Sequence, residues 1–193
     1  MNTFAELVRA ARSCRRFQED KPVTSEALRQ MIDCVRITSS SSNKQPLRYI
    51  TLTDPALRAQ LFPHTKWAGA LKDWDGPAEG ERPTGYVLIC SATAPTMFVH
   101  YDIGIAAQTM QLYAWSVGIG CCMINSFSRE AAREIFAVPQ DIEPMLLLAF
   151  GAPKEERRLV DVKLEDGLTY WRDEQNVHYV PKLALDQVLL AEK

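Results

Sequence analysis

The stretch YDIGIAAQTMQLYAWSVGIG, residues 101–120, decides the fold that this sequence predicts. Apolar residues recur at helical spacing from about Phe98 to Val117, a length that corresponds to about 30 Å of α-helix. The periodic positions are Ile103, Ala106, Ala107, Met110, Ala114 and Val117. Because this helix is apolar on most of its sides, we expect it to lie in the protein interior or in an interface between subunits. Gly118 and Gly120 predict its end.

Shorter helices and strands are predicted on both sides of this long helix. A first amphipathic helix carries Phe4, Leu7, Val8 and Ala11, and a second carries Leu28, Met31, Ile32 and Val35, with Thr24 as its N-cap. The strand candidates are Arg48–Thr53, Tyr86–Cys90, Cys121–Ile124 and Met145–Phe150. Two further short helices are predicted over Pro55–Phe62 and from a cap at Ser128 to Phe136.

The remaining segments are predicted to be loops or surface. Thr38–Pro46 cannot continue a helix, because its hydroxyl side chains compete for the backbone and proline restricts the residue before it. Asp73–Thr84 is predicted to be an irregular surface excursion, and KEERR, Lys154–Arg158, to be solvated. We expect the last forty residues to form an extended tail with one strand, Val177–Val180, and a short helix from about Leu185.

Composition and charge exclude several classes of protein. The 193 residues include 22 Lys and Arg against 24 Asp and Glu, so the net charge is −2 and nucleic acid is not an expected partner. The apolar runs, such as Met145–Phe150, are far shorter than the roughly 20 residues that cross a bilayer. Charges near the N-terminus argue against a signal peptide, with a transit peptide as the alternative. Five cysteines, an odd number, indicate reduced thiols and a cytoplasmic protein.

Two polar segments carry the candidate chemistry. Arg12, Ser13 and Arg15 place cations and a hydroxyl on one short turn, a composition suited to a phosphate group, although a solvated basic turn is the alternative. Ser39–Ser42 and Asn43 offer many small donors and acceptors, which suit a polar heterocycle or a ribityl chain. Serine-rich loops are common, so neither segment decides a function by itself.

The order of the motifs along the chain resembles the FMN-dependent nitroreductase family. The pattern Arg12-Ser13-x-Arg15-x-Phe17, followed by Ser40-x-x-Asn43-x-Gln45-Pro46 before a strand, is similar to the family's opening signature. Further matches follow in order: Asp102-x-Gly104-x-Ala106, Gly118-x-Gly120, Gly151-x-Pro153 and Val180-Pro181-Lys182. The resemblance covers nearly the whole chain, and agreement of several weak motifs in order and spacing makes it specific.

This resemblance implies the fold and the assembly. The expected fold class is α+β, with a central, mostly antiparallel or mixed sheet flanked by helices, a long central helix and an extended C-terminal tail exchanged in a homodimer. Residues 1–193 would form a single FMN-binding domain, with a core of about 1–153 and a tail of about 154–193. The FMN sites would lie at the dimer interface and be contacted by both subunits.

The resemblance also implies roles for individual residues. The arginine–serine turn would hold the FMN phosphate through Arg12, Ser13 and Arg15. The partner's polar loop would contact the isoalloxazine ring through Ser39, Ser40, Ser41 and Asn43. The strand after the long helix would pass flavin N5 with Met123, Ile124, Asn125 and Ser126, and the backbone N–H of Asn125 is the expected donor to N5. His178 and Lys182 in the tail would complete the phosphate site. No metal is expected.

The implied activity is transfer of hydride from NAD(P)H through FMN to nitroaromatic or quinone-like acceptors. A flavin carries out this chemistry itself, so no side-chain nucleophile is required. The sequence departs from the family at Ala11, where an arginine is frequent, and at Ser39, Leu47 and Leu183. Because of these departures, a flavin-binding or flavin-handling protein without turnover is the alternative, and a non-flavin interaction domain is a third hypothesis.

Other conspicuous residues have structural interpretations. Cys121 and Cys122 are adjacent in a predicted strand, where side chains alternate between faces, so packed thiols are favoured over a metal or nucleophile site. Gly118-x-Gly120 follows a helix and lacks a third glycine, so it is not a dinucleotide-binding fingerprint. Trp67 and Trp74 flank an excursion that could cover a flavin, or they pack beneath a loop.

Overall fold

The computed structural model describes residues 3–193, and its helices and strands follow the sequence pattern closely. The helices are α1 (Phe4–Ala10), α2 (Ser25–Arg36), α3 (Pro55–Leu61), α4 (Met97–Ser116), α5 (Arg129–Ile135) and α6 (Leu185–Val188). The strands are β1 (Phe17–Gln18), β2 (Leu47–Leu52), β3 (Gly85–Ser91), β4 (Gly120–Ile124), β5 (Glu143–Pro153), β6 (Arg157–Val162), β7 (Trp171–Arg172) and β8 (His178–Leu183). The predicted α+β class is confirmed.

The chain folds into two compact units. The first comprises the chain up to Trp67 together with Gly76–Lys154, and the second comprises Ala68–Asp75 together with Glu155–Lys193. That residues 1–193 form one FMN-binding domain stays a prediction.

The first unit contains an antiparallel sheet. β3 pairs with β2 on one side and with β5 on the other, β4 pairs with the opposite side of β5, and the two-residue β1 pairs with the C-terminal end of β5. β3 is buried along its whole length, as its unbroken apolar sequence predicts. The order β2–β3–β5–β4 therefore places β2 and β4 at opposite edges.

Helices α2 and α4 pack together and cover this sheet. Both present apolar residues to a core that includes Leu28, Met31, Met110, Val87 and Leu148. The Oγ1 of Thr24 accepts a hydrogen bond from the N–H of Ala27, so the predicted N-cap of α2 is confirmed. The expectation that α4 lies in the interior is correct for one of its faces, whereas another face is exposed.

The glycines after α4 end the helix and let two segments approach. Gly118 has φ 78°, a conformation that glycine adopts without strain. A β-carbon at Gly120 would lie 2.8 Å from Sγ of Cys14, so only glycine permits the segment after α1 to approach the start of β4 this closely. Cys121 and Cys122 are buried, so their prediction as packed thiols is confirmed.

The second unit corrects the prediction for the tail. β8 pairs in parallel with β6 and antiparallel with β7, so the tail forms a three-stranded sheet where one strand was predicted. The expectation that Lys154–Arg158 is solvated is correct for Lys154, Glu156 and Arg158, which are exposed, and wrong for Glu155. Glu155 is 7% exposed and accepts a 3.1 Å hydrogen bond from Nη2 of Arg172, and Arg157 begins β6. The end of this charged segment is ordered because Arg157 and Arg158 pair with β8, which lies about twenty residues further along the chain.

The two tryptophans flanking the excursion have different surroundings. In the first unit, Trp67 is buried, and its Nε1–H donates to Oγ1 of Thr65 at 2.9 Å. In the second, the guanidinium carbon of Arg172 lies 4.6 Å from the Trp74 ring centroid. Among residues 3–193, no helix combines the length and the apolar character that a membrane span requires.

Candidate functional site

The arginine–serine turn is fixed to β4 by the main chain. The backbone N–H of Cys14 donates to the carbonyl oxygen of Cys121 at 2.8 Å, and Ser13 and Cys121 form an isolated parallel bridge. Nη2 of Arg12 donates to the carbonyl of Val8 at 2.6 Å, which ties this side chain to the last turns of α1. Arg12, Ser13 and Arg15 are all partly exposed. The structure thus brings these three predicted phosphate ligands together beside β4.

Two neighbouring positions have structural roles. Arg16 forms a two-point ion pair with Glu81, with its Nε and Nη2 at 2.5 and 2.6 Å from the carboxylate oxygens. Nζ of Lys154 lies 3.0 Å from the same carboxylate. Hydrogen bonding from Arg16 lowers the pKa of Glu81 to about 2. Ala11, where the family often has an arginine, is 1% exposed and so faces the core.

A buried carboxylate organises the serine-rich loop. Asp102, on α4, is 5% exposed. Its Oδ2 accepts from Oγ of Ser40 at 2.6 Å, and its Oδ1 accepts from the N–H of Ser41 at 3.0 Å. Oγ of Ser40 in turn accepts from the N–H of Gln45 at 2.9 Å. In the sequence Asp102 is identified only as a position in a motif, so this role was not predicted. A single carboxylate on an otherwise apolar helix was the available signal.

The backbone of this loop is strained. Residues 41–43 form one 3-10 turn, and Ser42 and Asn43 both have φ 52° while Gln45 has φ 47°. Non-glycine residues seldom adopt the left-handed region, which costs of order 1–2 kcal/mol per residue. Three such residues within four positions persist only because surrounding contacts hold them. The Asp102 network supplies contacts of that kind.

A cavity of about 200 Å³ adjoins the loop. Its polar lining residues include Ser39, Ser40, Arg48, Tyr49 and Asp102. Burial, with a smaller contribution from the Asp102 carboxylate, raises the pKa of Tyr49 to about 12. The phenol is therefore neutral near pH 7 and can donate a hydrogen bond. Ser39 and Ser40 fall where the resemblance places ring contacts.

The end of β4 carries the other predicted ring contacts. Met123 and Ile124 are the last residues of β4, and Asn125 and Ser126 follow it. Asn125 is exposed, and among residues 3–193 no backbone hydrogen bond outside the helices and strands uses its N–H as donor. That this N–H donates to flavin N5 stays a prediction.

Within one chain, the two polar segments do not come together. The serine-rich loop leads into β2 and the arginine–serine turn lies beside β4, at opposite edges roughly 14 Å apart by three strand spacings. They are also at opposite ends of the sheet, because Leu47 pairs with Ser91 while Cys121 pairs with Phe150. Within one chain the two segments therefore do not form a single compact site.

The tail residues lie in the second unit. His178 is fully buried in β8, and its ring centroid lies 5.3 Å from that of Tyr170. The backbone N–H of His178 donates to the carbonyl of Glu156 at 2.9 Å. Lys182 lies four residues further along β8 and is exposed. The role of both residues in a phosphate site stays a prediction.

Comparison with known proteins identifies relatives of this chain. The profile of the Nitroreductase family matches residues 8–152. An FMN reductase (NADPH) from Bacillus subtilis is 27% identical over 168 residues, with 79% of this chain and 67% of the relative covered.

Two solved structures share the fold. A nitroreductase family protein from Clostridium difficile 630 is 25% identical, with a TM-score of 0.62 and coverage of 80% of this chain and 86% of that protein. A nitroreductase family protein from Clostridium novyi NT is 17% identical, with a TM-score of 0.66 and coverage of 95% and 97%. The matched region contains the arginine–serine turn, the serine-rich loop, Asp102 and the end of β4. The chain therefore belongs to the nitroreductase family.

Proposed function

We propose that this protein is an FMN-dependent oxidoreductase that takes hydride from NAD(P)H and delivers it to nitroaromatic or quinone-like acceptors. One observation carries the proposal: β4 holds the turn containing Arg12, Ser13 and Arg15 at its start and presents Asn125 at its end. A relative named FMN reductase (NADPH) supports both the cofactor and the electron donor.

The residues beside β4 fit FMN in chemistry and in spacing. Guanidinium groups bind phosphate strongly, and Arg12 and Arg15 are partly exposed on one turn. Cys121, which pairs with Ser13, and Asn125 are separated by four residues, roughly 13 Å of extended strand. This length is comparable with the ribityl chain and ring that separate a flavin's phosphate from its N5. The chain therefore offers a cation at one end and an amide donor at the other.

When bound, FMN supplies the redox chemistry, because its N5 accepts hydride and passes it on. Arg12 and Arg15 bind and orient the phosphate, with the hydroxyl of Ser13 as a further donor. The N–H of Asn125 would donate to N5 and so hold the ring beside β4. No side-chain proton donor or nucleophile is required of this chain for the hydride step.

A second copy of the chain completes the site. We assign Ser39, Ser40, Ser41 and Asn43 to the flavin bound by the partner, because within one chain this loop lies at the opposite edge of the sheet. The N-terminal half of α4 exposes Met97, Phe98, Tyr101 and Ile105, with exposed fractions of 59, 57, 53 and 38%. An exposed apolar surface on an otherwise buried helix favours association. We therefore propose a homodimer.

An absorbance experiment tests the proposal. The purified protein is loaded with FMN, made anaerobic and mixed with NADH or NADPH. We expect the oxidised flavin absorbance to disappear with at least one nicotinamide and to return when a nitroaromatic or quinone is added. Flavin that stays oxidised with both nicotinamides would contradict the proposal and would support the alternative, a flavin-binding protein without turnover. A protein with no affinity for FMN would contradict both.

Replacing the turn arginine tests the phosphate site. Arg15→Ala removes one guanidinium beside β4, and we expect FMN binding to weaken by about 1.5–3 kcal/mol, the range for a hydrogen bond to a charged group. Fluorescence titration of FMN measures this loss. Arg9→Ala is the matched control, because it removes the same charge from an exposed position in the last turn of α1. Equal affinities of the two variants would place the phosphate elsewhere.

A further inference from the structure

Arg129 is the first residue of α5, and its guanidinium donates hydrogen bonds to the turn that follows β4. Its Nη1 donates to the carbonyl oxygens of Asn125 and Phe127 at 2.8 and 3.2 Å. Its Nη2 donates to Oδ1 of Asn125 at 3.0 Å and to the carbonyl of Met145 at 3.4 Å. The guanidinium carbon also lies 4.4 Å from the Phe127 ring centroid. One side chain thus contacts both the main chain and the side chain of Asn125.

The opposite side of this turn is held by main-chain hydrogen bonds. The N–H of Lys66 donates to the carbonyl of Ser126 at 2.8 Å, and the N–H of Ser128 donates to the carbonyl of His64 at 2.9 Å. These bonds fix Ser126 and Ser128 but do not involve Asn125. Asn125 is held instead by the N–H of Phe127, at 3.2 Å from its carbonyl, and by Arg129. The direction of its main chain therefore depends on the guanidinium.

We propose that Arg129 is a positioning residue that orients the backbone N–H of Asn125 toward flavin N5. The inference rests on the proposed function, in which that N–H is the donor to N5. Ile124 is the last residue of β4 that pairs with β5, so β4 holds the peptide group carrying the Asn125 N–H from one side only. The guanidinium holds the carbonyl and side chain of Asn125, and so restricts rotation of that peptide group from the other side. Arg129 acts through Asn125 and needs no contact with the flavin.

Lysine is the informative replacement at this position. It keeps the positive charge, but its single ammonium group cannot reproduce the planar, divergent donors that reach Asn125, Phe127 and Met145 together. Arg133→Lys is the matched control. Arg133 lies one turn further along α5, where it donates to the carbonyl of Pro139 at 2.9 Å and to Glu143 at 3.1 Å. It has no hydrogen bond to residues 125–127 among those described.

The first measurement uses the protein without FMN. Hydrogen exchange followed by mass spectrometry on peptides covering residues 124–128 reports how firmly the turn is held. For Arg129→Lys we expect exchange within these peptides to accelerate about tenfold, because the turn loses side-chain hydrogen bonds to the carbonyls of Asn125 and Phe127. Arg133→Lys should leave these peptides unchanged. Unchanged exchange in Arg129→Lys would overturn the inference.

The second measurement uses the FMN-loaded protein. At saturating nicotinamide, we expect Arg129→Lys to reduce bound FMN about tenfold more slowly, because a misdirected donor weakens an interaction at the reacting atom. FMN affinity should change less than about threefold, since the phosphate contacts remain. Faster exchange together with an unchanged reduction rate would overturn the positioning role. A wild-type protein that binds no FMN would refute the proposed function, and with it this inference, before any variant is compared.

Discussion

The arginine–serine turn and the serine-rich loop are both polar segments, but they are held in different ways. The turn is fixed by a main-chain hydrogen bond from Cys14 to Cys121, and none of its residues has a positive φ. The serine-rich loop contains left-handed residues at 42, 43 and 45, and the side chain of Asp102 holds it. The main chain of β4 therefore holds the arginine–serine turn, and the Asp102 carboxylate holds the serine-rich loop.

This difference predicts where the site is robust and where it is sensitive. A main-chain hydrogen bond survives most substitutions, because every residue except proline can donate it. A loop with strained φ values relies on specific partners, since each left-handed residue raises the free energy of the folded conformation. Substitutions around the loop should therefore disturb the site more than substitutions around the turn.

The largest effect is expected for Asp102→Ala. This change removes the acceptor for Oγ of Ser40 and for the N–H of Ser41, and it leaves both donors in a partly buried position. We expect the free energy of unfolding to fall by roughly 2–4 kcal/mol, given the strength of hydrogen bonds to charged groups. FMN binding should weaken in parallel, because the loop loses its conformation. Urea unfolding and FMN titration measure the two effects.

Two variants make this prediction specific. Asp102→Asn keeps one oxygen acceptor and should lose about half as much stability as Asp102→Ala. Asp33→Ala removes a carboxylate from α2 that forms only an exposed pair with Arg36, so it should cost less than about 1 kcal/mol. Asp102→Ala with the stability and FMN affinity of the wild-type protein would show that the loop does not depend on this carboxylate.

A smaller effect is expected for Glu81→Gln, which weakens the ion pair behind the arginine–serine turn. The pair with Arg16 is largely buried, with side-chain exposures of 20% for Arg16 and 14% for Glu81. We expect a loss of about 1.5–3 kcal/mol in unfolding free energy. Because Cys14 still holds the turn to β4 through the main chain, FMN affinity should change less than in Asp102→Ala. The same unfolding and titration measurements apply.

The pH dependence of stability identifies this ion pair. The pKa of Glu81 is about 2 in the folded protein, below its ordinary value of 4.5. Glu81 therefore stabilises the folded state above about pH 4.5, and this contribution is lost as the pH falls towards 2. The acid limb of the stability curve should be flatter in Glu81→Gln than in wild type. Glu79→Gln, at an exposed position nearby, should leave the curve unchanged, and identical curves for Glu81→Gln and wild type would contradict the prediction.

Elements with a local apolar pattern could be predicted from the sequence. The 3.6-residue repeat predicted both ends of α4 within one residue, and the cap at Thr24 predicted the start of α2. The cap at Ser128 was found because its role depends on the next three residues only. Strand β5 was predicted as Met145–Phe150 and extends over Glu143–Pro153. Its ends are ordered by pairing with β3 and β1, which no local pattern reveals.

Features that depend on distant residues could not be predicted. β6 begins in a charged run and pairs with β8, about twenty residues further along the chain. The hydrogen bonds from Ser40 and Ser41 to Asp102 join residues about sixty positions apart. A local sequence pattern therefore cannot predict that Asp102 holds the loop. The candidate site residues themselves were identified by resemblance. Their geometry required the sheet order, which separates the loop from the turn by three strand spacings.

The smallest effect, and the one with opposite sign, is expected for Ser42→Gly. Ser42 is exposed, has φ 52° and makes no side-chain hydrogen bond among those described. Glycine removes the left-handed strain of about 1–2 kcal/mol but adds about 0.4–1 kcal/mol of unfolded-state entropy. We therefore expect the free energy of unfolding to rise by up to about 1 kcal/mol. Urea unfolding at several protein concentrations measures this change and separates it from association.

Ser13→Gly supplies the contrast, because Ser13 lies in the turn and has no positive φ. Glycine there relieves nothing and adds only the entropy cost, so stability should fall by about 0.5–1 kcal/mol. The same substitution is thus expected to stabilise one segment and destabilise the other. If Ser42→Gly destabilises the protein as much as Ser13→Gly does, the serine-rich loop stores no strain, and the dependence of its conformation on Asp102 must have another cause.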